Sequence, residues 1–352
     1  MLYHTLRCFS IYGIEEDGNI FLDFFTNGPL AVYVFFVLSG FALSTSFFVT
    51  GDQGVVVASA LRRYMRLTVP IFMSSILAFC LLKAGLMFNA PAGNLAASGD
   101  WLNVHYQFMP TLFGLIEFSF YDVYFAAGNS ISYNAVLWTM PLELFGSMLV
   151  FAILYVVGNL KWRYVVYGLA CLILARFNSH LIAFVFGVIF ADIYQSPALQ
   201  RFRTTRLAAG FALVMVSGAF LMATWLGVWF TEPPEMSSIA ALLVLAVVIC
   251  RPLADVFETN VSRFMGRISF PIYLIHLIVI CSFSSWFYVA MADSGWSHDR
   301  SGFATLVVTV VVTLIGGVLF EPVERLSVLL ARRFSDAVFA AVRWRAKPDF
   351  VA

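Results

Sequence analysis

Apolar runs and short polar gaps alternate along most of this chain. The runs fall near residues 30–49, 67–88, 136–157, 164–176, 179–194, 207–229, 237–250, 268–292 and 303–320. Several are shorter than the ~20 residues that cross about 30 Å of hydrocarbon, so the series carries more weight than any single boundary. Unbroken apolar runs of this kind predict helices in lipid, because a spanning segment must satisfy its backbone hydrogen bonds internally. The expected fold is therefore an all-α, polytopic membrane protein of about nine transmembrane helices.

The gaps divide into two sets by charge. Segments 50–66, 158–163, 195–206, 251–267 and the tail from 321 hold three, two, three, three and six Lys or Arg, seventeen of the 21 in the chain. Only Arg7, Lys83, Arg176 and Arg300 lie elsewhere. Basic loops stay on the cytoplasmic side, which predicts a multi-pass protein of the inner (plasma) membrane with its C-terminus in the cytoplasm. Nine spans that end inside require the first to be entered from outside, yet MLYHTLRCFSIYG is no signal peptide. The simplest expectation is one more span, entering from the cytoplasm, whose last part is Leu2 to Ile14, with the reading frame continuing upstream.

Composition narrows the classes further. Hydrophobic residues make up 61% of the chain and charged ones 12%, against about 25% charged in soluble domains. A net charge of +1, with basic residues split among loops, gives no nucleic-acid surface. The five cysteines have no paired spacing, so neither a disulfide framework nor a zinc site is expected. The histidines look scattered and no metal is implied. Two units are expected, a membrane domain over 1–326 and a basic amphipathic tail over 327–352 that lies on the inner leaflet or serves as a topology anchor. The outward connection 89–135 contains no Lys or Arg. Its length suits a wall of a substrate cleft, and TLFGLIEFSFYDVYF within it is apolar enough to dip into the membrane.

An ionisable group inside a membrane costs roughly 2.5–3.5 kcal/mol on insertion scales, so each one requires a partner or a purpose. Glu143 in LWTMPLELFG has no cation within four residues on its own helix, which places its partner on another helix. Arg62, Arg63 and Arg66 stand in LRRYMRLTVP, with Arg63 and Arg66 three apart and hence on one helical face. That pair reads either as an anion clamp or as a topology anchor. His276 ends SFPIYLIH inside an apolar run, His4 lies near the N-terminus, and Glu321 and Glu324 close the last run.

Together these segments resemble acyltransferase family three, integral-membrane O-acyltransferases of bacterial glycans. GPLAVYVFFVLSGFALS resembles the family's second-span signature, and LRRYMRLTVP its basic Arg-x-x-Arg segment before a proline. LWTMPLELFG is similar to its Trp-x-x-x-x-Glu element, FVFGVIFADIY to its middle span, FMGRISFPIYLIH to its Tyr-Leu-x-His element and EPVERL to its closing segment. The order is kept from about residue 28 to 326. One departure stands at the N-terminus, where the family's Arg, about eleven positions before an essential His, would precede Met1 if His4 is that histidine.

The resemblance implies transfer of an acyl group, most simply acetyl, from acyl-CoA to a carbohydrate hydroxyl, with no permanently bound cofactor. It implies His4 as general base and Glu143 as the group that orients the imidazole or the acceptor. Arg62, Arg63 and Arg66 would bind coenzyme A phosphates, and Ser39, Trp138, Tyr273 and His276 would line the substrate site. Ser39 and Gly40 also suit a close approach of helices. A multi-span transporter or flippase of glycan or lipid-linked substrate is the alternative, but inverted repeats and paired broken helices are not found. A structural or sensory membrane subunit would need no arginine clamp.

Overall fold

Local signals start and stop the first long helix, α1 (Gly28–Thr50). The Asn27 side chain accepts from the Leu30 N–H at 2.9 Å, Pro29 occupies the first turn, and Gly51 ends the helix in the left-handed region at φ 68°. Asp52 then caps α2 (Gln53–Lys83) by accepting from Gly54 N–H at 2.8 Å, so two residues join two long helices. The computed structural model describes residues 4–6, 9, 20–96, 98–126, 131–224 and 232–345. Most of the expected span remnant at Leu2 to Ile14 lies outside these residues, as does the end of the tail beyond 345.

The remaining long elements are α3 (Met140–Val157), α4 (Arg163–Arg176), α5 (Ile182–Tyr194), α6 (Arg206–Thr224), α7 (Pro233–Ile249), α8 (Asn260–Val279) and α9 (His298–Arg345). Each of the nine expected spans has a helix in its place, although 225–229 of the span at 207–229 lies outside the described residues and the span at 268–292 runs on from α8 through a π turn at Ile280–Ser284 into a Ser285–Asp293 helix. Six stretches among the described residues are long and apolar enough to cross a membrane, and a seventh follows if α7 and the Arg251–Phe257 helix, bent by 102°, count as one. The other two, α4 and α5, have 14 and 13 residues. No strand occurs among the described residues. The protein is an all-α, multi-pass membrane protein.

Two boundaries differ from the hydropathy pattern, and both matter for the site. The second span was expected to begin at 67, after a basic gap. Instead α2 starts at Gln53, whose side-chain amide donates to the Tyr155 carbonyl at 2.9 Å. The arginine cluster therefore sits about 14 Å along a helix rather than in a loop, at 1.5 Å per residue. Apolar VVVASAL before the cluster lets the helix begin early. At the other end, α9 runs unbroken from the last span through Arg345, across the expected division at 326. Ser327, Ala331 and Ser335, four apart and buried, give this extension a small-residue face, and α9 packs along α2.

Close helix contact explains two glycines. A Cβ on Gly40 would collide with the Phe184 carbonyl of α5, and one on Gly187 with the Val37 carbonyl of α1. Backbones at this crossing touch directly, as small residues allow in membranes. Asp192 at the end of α5 takes a bidentate pair from Arg163 of α4, at 2.5 and 2.8 Å. One core gathers α1, α5 and α7, and a second gathers α2, the 89–135 connection and α8. They meet along α3, and Glu143 lies there.

Within the long connection, the Leu112–Glu117 helix continues through a π turn at Phe118–Asp122 to Val123–Phe125. It descends beside α2: Phe120 packs on Phe72, the Tyr64 hydroxyl donates to the Phe120 carbonyl at 2.6 Å, and Tyr124 and Thr68 share a hydrogen bond at 3.0 Å. Leu112, Phe113, Ile116 and Tyr121 are exposed on its far side. The stretch expected to dip into the membrane thus lies along a membrane helix, one turn from Arg63.

Candidate active site

Glu143 is 1% exposed in the first turn of α3, and its partners come from two other helices. Arg63 of α2, itself buried, makes a close ion pair with one carboxylate oxygen, and the Ser39 hydroxyl of α1 donates to the other at 3.0 Å. Three elements are joined at one carboxylate. Such a pair is net favourable only when its geometry is good and its remaining polar atoms are satisfied, and it is far more costly to break than to omit. The expectation that Glu143 finds its partner on another helix is met by Arg63. Arg63 and Arg66 share a helix but not an environment, since Arg66 is exposed within electrostatic reach of Glu324. Arg62 lies 3.9 Å from Asp336 of α9. Glu321 pairs with Arg325 on its own helix, at 2.8 Å.

One turn before Glu143, Thr139 shares a hydrogen bond of 2.6 Å with the Tyr273 hydroxyl of α8, which also donates to the Val136 carbonyl. Asn134 donates to the Leu274 carbonyl at 2.6 Å. These contacts dock the start of α3 against α8 and form the floor of a cavity of about 520 Å³. Its wall includes His4, His276, Tyr273, Thr139 and Trp138. Four of the residues picked out by the sequence motifs meet there, while Ser39, Arg63 and Glu143 form the adjoining buried cluster. Arg62 and Arg66 line neither.

His276 has a defined tautomer. Its Nδ1 lies 2.7 Å from the Tyr273 carbonyl and 3.2 Å from that of Ile272. A carbonyl only accepts, so Nδ1 carries the hydrogen and Nε2 presents a lone pair. That Nε2 is buried with no hydrogen-bond partner among the described residues. His4 stacks on this ring at 5.4 Å and on Trp101 at 5.1 Å, and His105 meets the edge of Trp101 at 4.7 Å. Burial pushes the His105 imidazole below its ordinary pKa, so it is neutral near pH 7.

The histidines therefore converge where the sequence made them look scattered: three of the five form one aromatic row with Trp101. Sequence reasoning missed Trp101, His105 and Thr139. The only signal for the first two was their four-residue spacing in a loop free of Lys and Arg. Glu143 is engaged by Arg63 and Ser39, and the imidazole of His4 by rings, so these two expected partners occupy neighbouring clusters.

A membrane bundle with a buried charged centre and a histidine-lined cavity is the class that the fold and site define. The model of one family, described as an acyltransferase domain, matches residues 1–321. The chain belongs to acyltransferase family three and is an enzyme that transfers acyl groups other than aminoacyl groups. No curated protein and no solved structure matches it.

Proposed function

We propose that this enzyme moves an acyl group, most simply acetyl, from acyl-CoA to a hydroxyl of a cell-surface or exported carbohydrate. The observation that carries the reading is the pair of stacked imidazoles, His4 and His276, on the wall of a cavity inside a family-three bundle. A sugar hydroxyl is a weak nucleophile until its proton is removed, and a neutral imidazole is suited to that step near pH 7. His4 takes the proton as the hydroxyl oxygen attacks the thioester carbonyl carbon. A C–O bond forms, the C–S bond breaks, and the proton passes from His4 to the departing coenzyme A thiolate.

The other residues divide the remaining work. Exposed Arg66 and half-buried Arg62 offer cations to the donor's phosphates, as guanidinium groups do well. Glu143 is a positioning residue. Anchored by Arg63 and Ser39, it fixes the turn that carries Thr139 and Trp138 and so sets the cavity floor against Tyr273. Seventeen basic residues on one set of connections and the helix ends that flank them support an inner-membrane protein with a cytoplasmic C-terminus, in which the donor would enter from the cytoplasm.

The test is release of free coenzyme A from acetyl-CoA by purified protein in lipid nanodiscs, with and without carbohydrate acceptors. Release should depend on acceptor, and His4→Ala should lower it by about 10²- to 10⁴-fold, the usual worth of a general base. Acceptor-dependent release that is unchanged in His4→Ala would remove His4 from the mechanism, and none at all would remove the donor and acceptor assignment.

A further inference from the structure

The cavity beside His4 has two unlike ends. At one end stand the polar groups, the imidazoles of His4 and His276 and the hydroxyls of Tyr273 and Thr139. The rest of the wall is built mainly from Pro29, Val32, Phe35, Trp138, Met236 and Phe270, with two further hydroxyls, those of Tyr33 and Ser269. Among the described residues no side-chain carboxylate, amide or cation lines it. A free sugar needs several such groups to replace the water bound to its hydroxyls, and the two hydroxyls of Tyr33 and Ser269 are too few for that.

The mouth faces lipid. Pro29, Phe35 and Trp138 line the cavity and are exposed at the same time, which places them at its opening. Phe35 is 7 residues, about 10 Å, from the start of α1 at Gly28 and 15 residues, about 22 Å, from its end at Thr50, in a helix long and apolar enough to span a membrane. An opening at that depth meets hydrocarbon rather than water. The donor cannot use it, because a nucleotide with several phosphates does not partition into the bilayer core, and Arg62 and Arg66 lie away from the cavity.

We propose, on the basis of the acyltransferase reading, that this cavity is a lateral port for the aliphatic tail of the acceptor, so that the enzyme acylates a lipid-linked sugar held in the bilayer. The tail enters between Phe35 and Trp138 and lies against Val32, Met236 and Phe270. Its sugar end then stands at His4 and His276, where Nε2 of His276 accepts a hydrogen bond from a hydroxyl. The other substrate arrives from the arginine side, and the two meet at the imidazoles.

Two measurements on the full chain in nanodiscs test this. In the first, acetyl transfer is compared between methyl and octyl glucoside. The octyl compound should show a KM at least about tenfold lower, and filling the port with Val32→Trp or Ala31→Phe should bring the ratio of the two KM values toward one. In the second, which needs no turnover, an octyl glucoside carrying a diazirine on its tail is photolysed with the protein. Label should appear in 28–35 or 136–139 and be lost in both filled variants, each checked for a monodisperse gel-filtration profile. Equal KM values, or label that is undiminished by filling, would overturn the port. A filled variant that shifts the preference between acetyl-CoA and octanoyl-CoA, with the glucoside ratio unchanged, would assign the cavity to the donor chain and overturn it too. Specific labelling without transfer to any glucoside would leave the port standing and sink the carbohydrate-acceptor reading instead.

Discussion

Arg63 and Arg66 are three residues apart, yet their replacements should have opposite consequences. Arg63→Ala leaves the Glu143 carboxylate buried without its cation, a change that costs about 3–5 kcal/mol when a buried pair is broken. Arg66→Ala removes an exposed group and should stay within about 0.5 kcal/mol in stability while weakening acyl-CoA binding. Thermal unfolding in detergent, paired with donor titration, separates the two, and equal melting temperatures would contradict the buried pair. That Glu143 needs a partner from elsewhere was legible, since no cation lies within its helical reach. That the partner is Arg63 was not, because a basic residue near the start of a span reads equally well as an interfacial anchor. The convergence of His4, His105 and His276 was hidden for another reason: His4 meets Trp101 and His276 from far along the chain, and contacts of that range leave no local spacing.

At the scale of elements, hydropathy located the nine long helices but misplaced the start of α2 and the end of α9. A run of Val and Ala followed by arginines reads as a loop when charges are counted and as a helix once a cap at Asp52 and a bond from Gln53 begin it. The α1–α5 crossing offers a sharper test. Gly40→Ala and Gly187→Ala each force a methyl into a backbone carbonyl of the facing helix, and overpacking of this kind costs about 1–3 kcal/mol. Gly168→Ala on α4 meets nothing within 4 Å and should be neutral or gain about 0.5–1 kcal/mol from helix propensity. Unfolding midpoints for the three variants should rank Gly168→Ala above the other two. A tie would mean that the helices can slide apart at no cost.

For the whole molecule, the strongest sequence inference is orientation, and it is open to direct labelling. In a background with Cys80 replaced, Val104→Cys should react with an impermeant maleimide from outside intact cells, and Val256→Cys only after permeabilisation. Both side chains are exposed. The reverse pattern would invert the protein and move its donor side with it. The buried pair also bears on how the chain is made. Arg63 is synthesised 80 residues before Glu143, and at about 5–20 residues per second several seconds separate them. During that interval a guanidinium stands in an inserting helix at a cost of about 2.5–3.5 kcal/mol, borne by the apolar length of α2 and eased by reaching toward the nearer surface. The arrival of α3 ends the interval. Assembly therefore has an order: the α1–α2 hairpin waits at the membrane for a carboxylate, and the buried pair closes only when the ribosome has delivered it.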